Sequence, residues 1–150
     1  MLMLTLLGTY ALATSACPSL LQPDALHTWN ALYKSFESHK QCDDGAIGEG
    51  YSEATARILV DHWNTLPDLA RILSKDKEFK SFVLKHIDAT LDENDIRKIR
   101  KNAYAQCPAG LRKLCADLKT QANRALKELE QEQSSMWISR CAADTSASPS

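Results

Sequence analysis

The sequence predicts an all-α fold: a single-domain bundle of five or six helices carrying one or two disulfides. Apolar residues recur at spacings of three and four along most of the chain, which is the helical period. Strand-type alternation is absent. Five prolines and five glycines in 150 residues leave long stretches free to continue as helix. A hydrophobic share of 44% with 25% charged residues is ordinary for one domain with one core. The net charge of −1 selects no class of partner by itself.

The first sixteen residues, MLMLTLLGTYALATSA, carry no charge and end in small residues before Cys17. This is the layout of a secretory signal, and both Ala11-Leu12-Ala13 and Thr14-Ser15-Ala16 fit a small-residue cleavage site. The apolar run is too short for a comfortable membrane span. No Lys or Arg precedes it, which departs from the usual signal; the competing reading is a buried N-terminal helix. Thr14-Ser15-Ala16-Cys17 also resembles a lipobox lacking its usual Leu, which would make Cys17 a lipid anchor. The organisation expected is a signal over 1–16, a helical domain over 17–132 and a disordered tail over 133–150. The destination is the periplasm or the exterior of a bacterium.

Pro23-Asp24 opens the first expected helix, whose apolar face is Leu26, Trp29, Leu32, Tyr33 and Phe36, and which ends near Lys40. The stretch CDDGAIGEGYS (42–52) reads as a tight connector. Gly45, Gly48 and Gly50 would supply positive φ or close packing there. Ser52 is the expected N-cap of the next helix, with Glu53 in its first turn. Pro67 starts a short helix, Asp76 another with Phe79, Phe82, Val83, His86 and Ile87 on one face, and Asp92 a third with Ile96, Ile99 and Ala103. The last helix, expected from Pro108, keeps Leu111, Leu114, Leu118, Ala122, Ala125 and Leu129 in one stripe. After Gln133 the composition turns Ser/Ala-rich, which motivates the tail assignment.

The five cysteines are Cys17, Cys42, Cys107, Cys115 and Cys141. In an oxidising compartment they would form disulfides, with one left free, lipidated or paired between chains. A helix spanning 107 to 115 would separate its two sulfurs by roughly 12 Å, beyond disulfide reach. That bridge therefore requires the chain before Gly110 to fold back. The favoured pairing is Cys42 with Cys107 or Cys115, closing a loop worth roughly 3–4 kcal/mol. No metal is expected: there is no CxxC pair and no helical HxxxH, and His27, His39, His62 and His86 are scattered. No cofactor is expected either.

The 42–52 stretch does not fit an EF-hand loop, since Asp43 and Asp44 are adjacent and Tyr51 falls on the closing position. Its acids, Asp43, Asp44, Glu49 and Glu53, disfavour phosphate. They make an acidic recognition surface, with Asp43, Asp44, Glu49 and Tyr51 as the candidate partner contacts. Opposite charge gathers at Arg97, Arg100 and Lys101, which share one helix face, and at Arg112 and Lys113. Nucleic acid is the sharp reading of that patch; net charge and export argue for a solvated or protein-facing surface instead.

CDDGAIGEGYS, FVLKHID (82–88) and CPAGLRKLC (107–115) resemble small uncharacterised exported bacterial helical proteins over residues 28–122. That resemblance carries over no functional residue. In size, compartment and helical content the chain is also similar to periplasmic immunity proteins that neutralise secreted toxins.

The function expected is non-catalytic binding of another protein, with an immunity-type inhibitor of a secreted toxin as its concrete form. One alternative is a small-ligand-binding protein or minor hydrolase, with a site between the glycine stretch and Asp61-His62-Trp63. Another is a lipid-anchored envelope protein, the only version that would place it on a membrane. A second copy of the chain, joined along the last helix, is a further candidate partner.

Overall fold

The computed structural model of this chain describes residues 17, 18, 21 and 23–145, the last five by backbone alone. The leader expected over 1–16 lies outside these residues. Six α-helices and no strand are present among them: α1 (Trp29–His39), α2 (Gly45–Asp61), α3 (Leu66–Leu73), α4 (Lys77–Lys85), α5 (Glu93–Ala105) and α6 (Arg112–Thr145). Three single 3-10 turns, at Pro23–Ala25, Lys40–Cys42 and Trp63–Thr65, join them.

Local chemistry explains most boundaries. Thr28 caps α1 by accepting from the Ala31 amide at 3.2 Å, so the helix begins six residues after Pro23, which forms a separate turn. Pro67 sits in the first turn of α3, where its missing N–H costs nothing. Asp76 caps α4 through Phe79 N at 2.9 Å, and Asp92 caps α5 through Asn94 N at 2.8 Å. All four loose first-turn donors of a helix need such partners.

The core forms where the helical stripes meet. α5 and α6 make the most extensive pairing, an antiparallel hairpin sealed by Ile96, Ile99, Leu114, Leu118, Ala122 and Ala125. α2 lies across α5 and α1. Between α1, α2 and α4 sits an aromatic cluster. Phe36 and Phe82 stand 4.8 Å apart by ring centroids, Tyr51 and Phe82 4.9 Å in edge contact, and Tyr33 and Phe79 4.9 Å. Such edge and tilted pairs add to simple area burial. The buried indoles find acceptors: Trp29 donates to Thr65 Oγ1 at 3.0 Å and Trp63 to the Gln106 carbonyl at 2.8 Å.

Two disulfides staple the bundle, Cys17–Cys42 and Cys107–Cys115. The expected pairing of Cys42 with Cys107 or Cys115 is thus corrected. Gly110 has a φ of +80°, and the chain from Cys107 turns back through it before α6 opens at Arg112 rather than at Pro108. The Cα atoms of Cys107 and Cys115 come to 6.0 Å, within bridging reach. Cys42 instead holds the segment leading into the first turn.

The end of α6 also differs from expectation. Residues 133–145, assigned above to a disordered tail, continue the helix. Nothing in SSMWISRCAADT breaks it, since that run has neither Gly nor Pro. Every residue from 130 to 140 is nevertheless exposed, including Met136, Trp137 and Ile138.

Candidate functional site

The 42–52 stretch is not a connector. Asp44, in extended conformation, caps α2 by accepting from Gly45 N at 2.8 Å, and Gly45 takes a φ of +51°. The helix then runs through the remaining glycines. Ile47, Tyr51, Ala54 and Ile58 follow at helical spacing and all are buried, and that burial outweighs the poor helix propensity of Gly48 and Gly50. Gly50 has a packing reason: a Cβ there would lie 3.0 Å from the Leu21 Cβ.

Ser52 is accordingly no cap. It lies inside α2, only 3% exposed, at the centre of a polar chain. Its Oγ is 2.9 Å from His86 Nδ1 and donates to Asp88 Oδ2 at 2.9 Å. His86, 2% exposed at the end of α4, places Nε2 3.2 Å from both oxygens of Asp43. The bonding geometry selects Oδ2, which also accepts from Lys85 Nζ at 2.8 Å, and leaves Oδ1 without a hydrogen bond. Burial lowers the affinity of the His86 ring for a proton, and the Asp43 charge acts the other way.

A serine, a histidine and two aspartates in hydrogen-bond contact invite comparison with a hydrolytic triad, but the chemistry differs. The serine proton is committed to Asp88, not to the ring, and both Ser52 and His86 are sealed from solvent. An attacking nucleophile must reach a substrate carbonyl beside oxyanion donors. This arrangement can store and relay a proton; it cannot present the serine.

The candidate partner contacts separate on folding. Asp44 and Glu49 are exposed. Tyr51 is fully buried, its hydroxyl donating to the Ser35 carbonyl at 3.2 Å, with Ser35 Oγ 3.0 Å away. It is a core residue and offers no surface. Asp43 is 11% exposed and engaged by Lys85 and His86, so it too leaves the recognition surface. Periodicity explains both: once α2 starts at Gly45, Tyr51 falls on the inward face with Ile47 and Ile58.

Glu49 instead belongs to a broader acidic face. With Glu53, Ala46 and Gly50 of α2 it lines a shallow groove closed by Leu21, Pro23, Thr90 and Leu91. Further along, Glu53 and Asp61 of α2 approach Asp92 and Asp95 at the start of α5. Desolvation, then Asp92, Glu53 and Asp61, push the Asp95 carboxyl above its ordinary value. Arg57, paired with Glu53 at 2.7 Å and with Asp24, and Lys98, 3.9 Å from Asp61, are the cations that answer this cluster.

The basic patch keeps its place on α5. Arg97 pairs with Glu93 at 2.5 Å, Arg100 is half-buried and Lys101 is exposed. Tyr104, 79% exposed, carries the Lys119 ammonium 5.7 Å from its ring centroid.

Two alternatives change in light of this geometry. Gly45 and Asp61 occupy opposite ends of α2, about 24 Å apart at 1.5 Å per residue. The N-terminal end of the glycine stretch therefore shares no compact site with Asp61-His62-Trp63. The Cys17 sulfur is bonded to Cys42, so it is not available for lipid attachment in this fold. Among the described residues no His/Cys/Asp/Glu group is arranged to hold a metal ion, and no helix is long and apolar enough to cross a membrane.

Comparison of the chain with protein-family models, with curated proteins and with solved structures finds no match.

Proposed function

We propose that this chain is an exported protein-binding module that docks a basic partner surface on its acidic α2–α5 face, with an immunity-type inhibitor of a secreted toxin as the concrete form. The observation that carries the reading is the gathering of Glu49, Glu53, Asp61, Asp92 and Asp95 along α2 and the start of α5, where desolvation first and then the carboxylates of Asp92, Glu53 and Asp61 hold the Asp95 carboxyl above its ordinary value. Like charges held together cost stability, and a cationic partner would relieve that cost. Two disulfides support an oxidising destination, which fits export. The uncharged leader supplies the route.

The test begins with affinity capture: the oxidised chain is immobilised, exposed to lysate of its own organism, and washed at high salt. The captured protein is then measured against Glu49→Lys and Lys101→Glu variants. Glu49→Lys should weaken binding at least about tenfold, chiefly by slowing association, while Lys101→Glu leaves it unchanged. Equal affinity of Glu49→Lys and the parent chain, with both folded, refutes the acidic face. Failure to retain any protein moves the function to another class.

A further inference from the structure

We propose that His86 is a buried proton-binding site: its doubly protonated ring closes the Asp43–His86–Ser52–Asp88 chain, and loss of that proton opens one link and loosens the start of α2.

The chain has three links, Asp43–His86 at 3.2 Å, His86–Ser52 at 2.9 Å and Ser52–Asp88 at 2.9 Å. Each needs one hydrogen. A serine hydroxyl brings one, a neutral imidazole brings one, and two carboxylates bring none. Two hydrogens cannot serve three links. With a neutral ring carrying its hydrogen on Nδ1, the bare Nε2 faces the Asp43 carboxylate, lone pair against lone pair. With the hydrogen on Nε2, Ser52 must choose between Nδ1 and Asp88. Only a further proton satisfies all three. An imidazole binds a proton more tightly than a carboxylate, ordinarily about 6.5 against about 3.9, so the ring is its natural seat.

The surroundings suit an imidazolium there. The charged and titratable groups facing His86 are Asp43 before α2, Lys85 on α4 and Asp88 in the turn after α4, with the Tyr51 ring 5.7 Å away on α2. With the ring protonated, two cations stand against two carboxylates. Asp88 is further held by the Thr90 amide at 2.8 Å and the Thr90 hydroxyl, so Oδ2 stays aimed at Ser52. Burial opposes charging the ring, so the proton is taken up below the usual histidine range. The chain is therefore one link short at neutral pH and closes on acidification.

The link with most to transmit is Asp43. It adjoins Cys42 of the first disulfide and the Asp44 cap, and its Oδ1 lies 3.3 Å from where a Gly48 Cβ would stand. The proton thus acts on the covalent anchor and on the first turn of α2 together.

The test is nitrogen-detected NMR of the histidine rings in the full oxidised chain, with amide exchange at residues 44–48, between about pH 4 and 8. Both His86 nitrogens should reach imidazolium shifts at the acid end. Over the same range, exchange at 44–48, corrected for intrinsic rates, should slow about fivefold, the effect of one net hydrogen bond. Asp88→Asn provides an independent check. Its amide can donate to Ser52, letting Ser52 donate to Nδ1 and Nε2 donate to Asp43. The substitution should therefore close the chain with a neutral ring and abolish the pH dependence at 44–48. A His86 ring that stays neutral down to acid unfolding overturns the proposal. So does one that titrates without changing 44–48, or an Asp88→Asn variant with the parent's pH dependence.

Discussion

Removing the two disulfides separately should reverse the order that loop length alone predicts. Chain entropy assigns a bridge closing n residues a stabilisation that grows with ln n. For the sequence separation of 8 between Cys107 and Cys115 this is about 2.5 kcal/mol, and for the separation of 25 between Cys17 and Cys42 about 3.5 kcal/mol. The first figure should appear in full. Cys107–Cys115 sits at the turn of the α5–α6 hairpin, whose two arms are fixed by their own core, so cutting it frees the unfolded chain and not the native one. The second should not. Cys17 tethers a segment in which Leu21 is the buried side chain described before Pro23, and cutting the bridge frees that segment in the native state too. Its cost is then bounded by the burial of one leucine, roughly 1.5–3 kcal/mol, less whatever packing Leu21 retains. With an unfolding entropy of about 0.25 kcal/mol/K for some 120 ordered residues, Cys107→Ser/Cys115→Ser should lower Tm by about 10 °C and Cys17→Ser/Cys42→Ser by about half that. Calorimetry of the two double variants decides. A larger loss from the Cys17–Cys42 variant would show that the N-terminal segment is integral to the cooperative core, and would refute the reasoning.

Three further outcomes follow from particular contacts. Gly50→Ala and Gly48→Ala both gain up to about 1 kcal/mol of helix propensity. Gly50→Ala drives its Cβ to 3.0 Å from Leu21 Cβ and should come out net destabilising in urea titration, whereas Gly48→Ala, meeting a carboxylate oxygen at 3.3 Å, should be neutral or stabilising. Tyr51→Phe, which removes the hydroxyl bonded to Ser35, should cost about 1 kcal/mol by the same assay with the fold retained. The folded His86 ring holds its proton less tightly than the unfolded one, so the unfolded state binds more protons as pH falls below 6.5. Stability against global unfolding, which hydrates the ring, should therefore decline from 6.5 downward until the folded ring also titrates, whereas local opening at 44–48, which leaves the ring buried, is the step its proton opposes; His86→Gln should flatten the global slope in pH-resolved thermal melts.

The parts of this fold legible in the sequence were those governed by neighbours three or four residues away. The stripe from Leu114 to Leu129, the caps at Asp76 and Asp92 and the proline in α3 all belong to that class. The glycine stretch misled because propensity speaks for a turn, yet Ile47, Tyr51, Ala54 and Ile58 already trace an inward face through it. Tertiary burial outweighed a cost of about 1 kcal/mol per glycine. Reading that face would have withdrawn Tyr51 from the surface at once. Disulfide pairing was beyond local reasoning, because it turned on the reversal at Gly110. The Ser52–His86 contact joins residues 34 apart in sequence. The one hint was a histidine on the apolar stripe of α4, a position where a ring nitrogen must find a partner.

The length of α6 has a mechanical consequence. Thirty-four residues make a rod about 51 Å long, against a diameter near 30 Å for a small domain. Whatever grips its far end gains a lever arm, and the torque falls on the α5–α6 seam. The Cys107–Cys115 bond spans the closed end of that seam, so a pull on the tip works against a covalent hinge pin rather than against side-chain contacts alone.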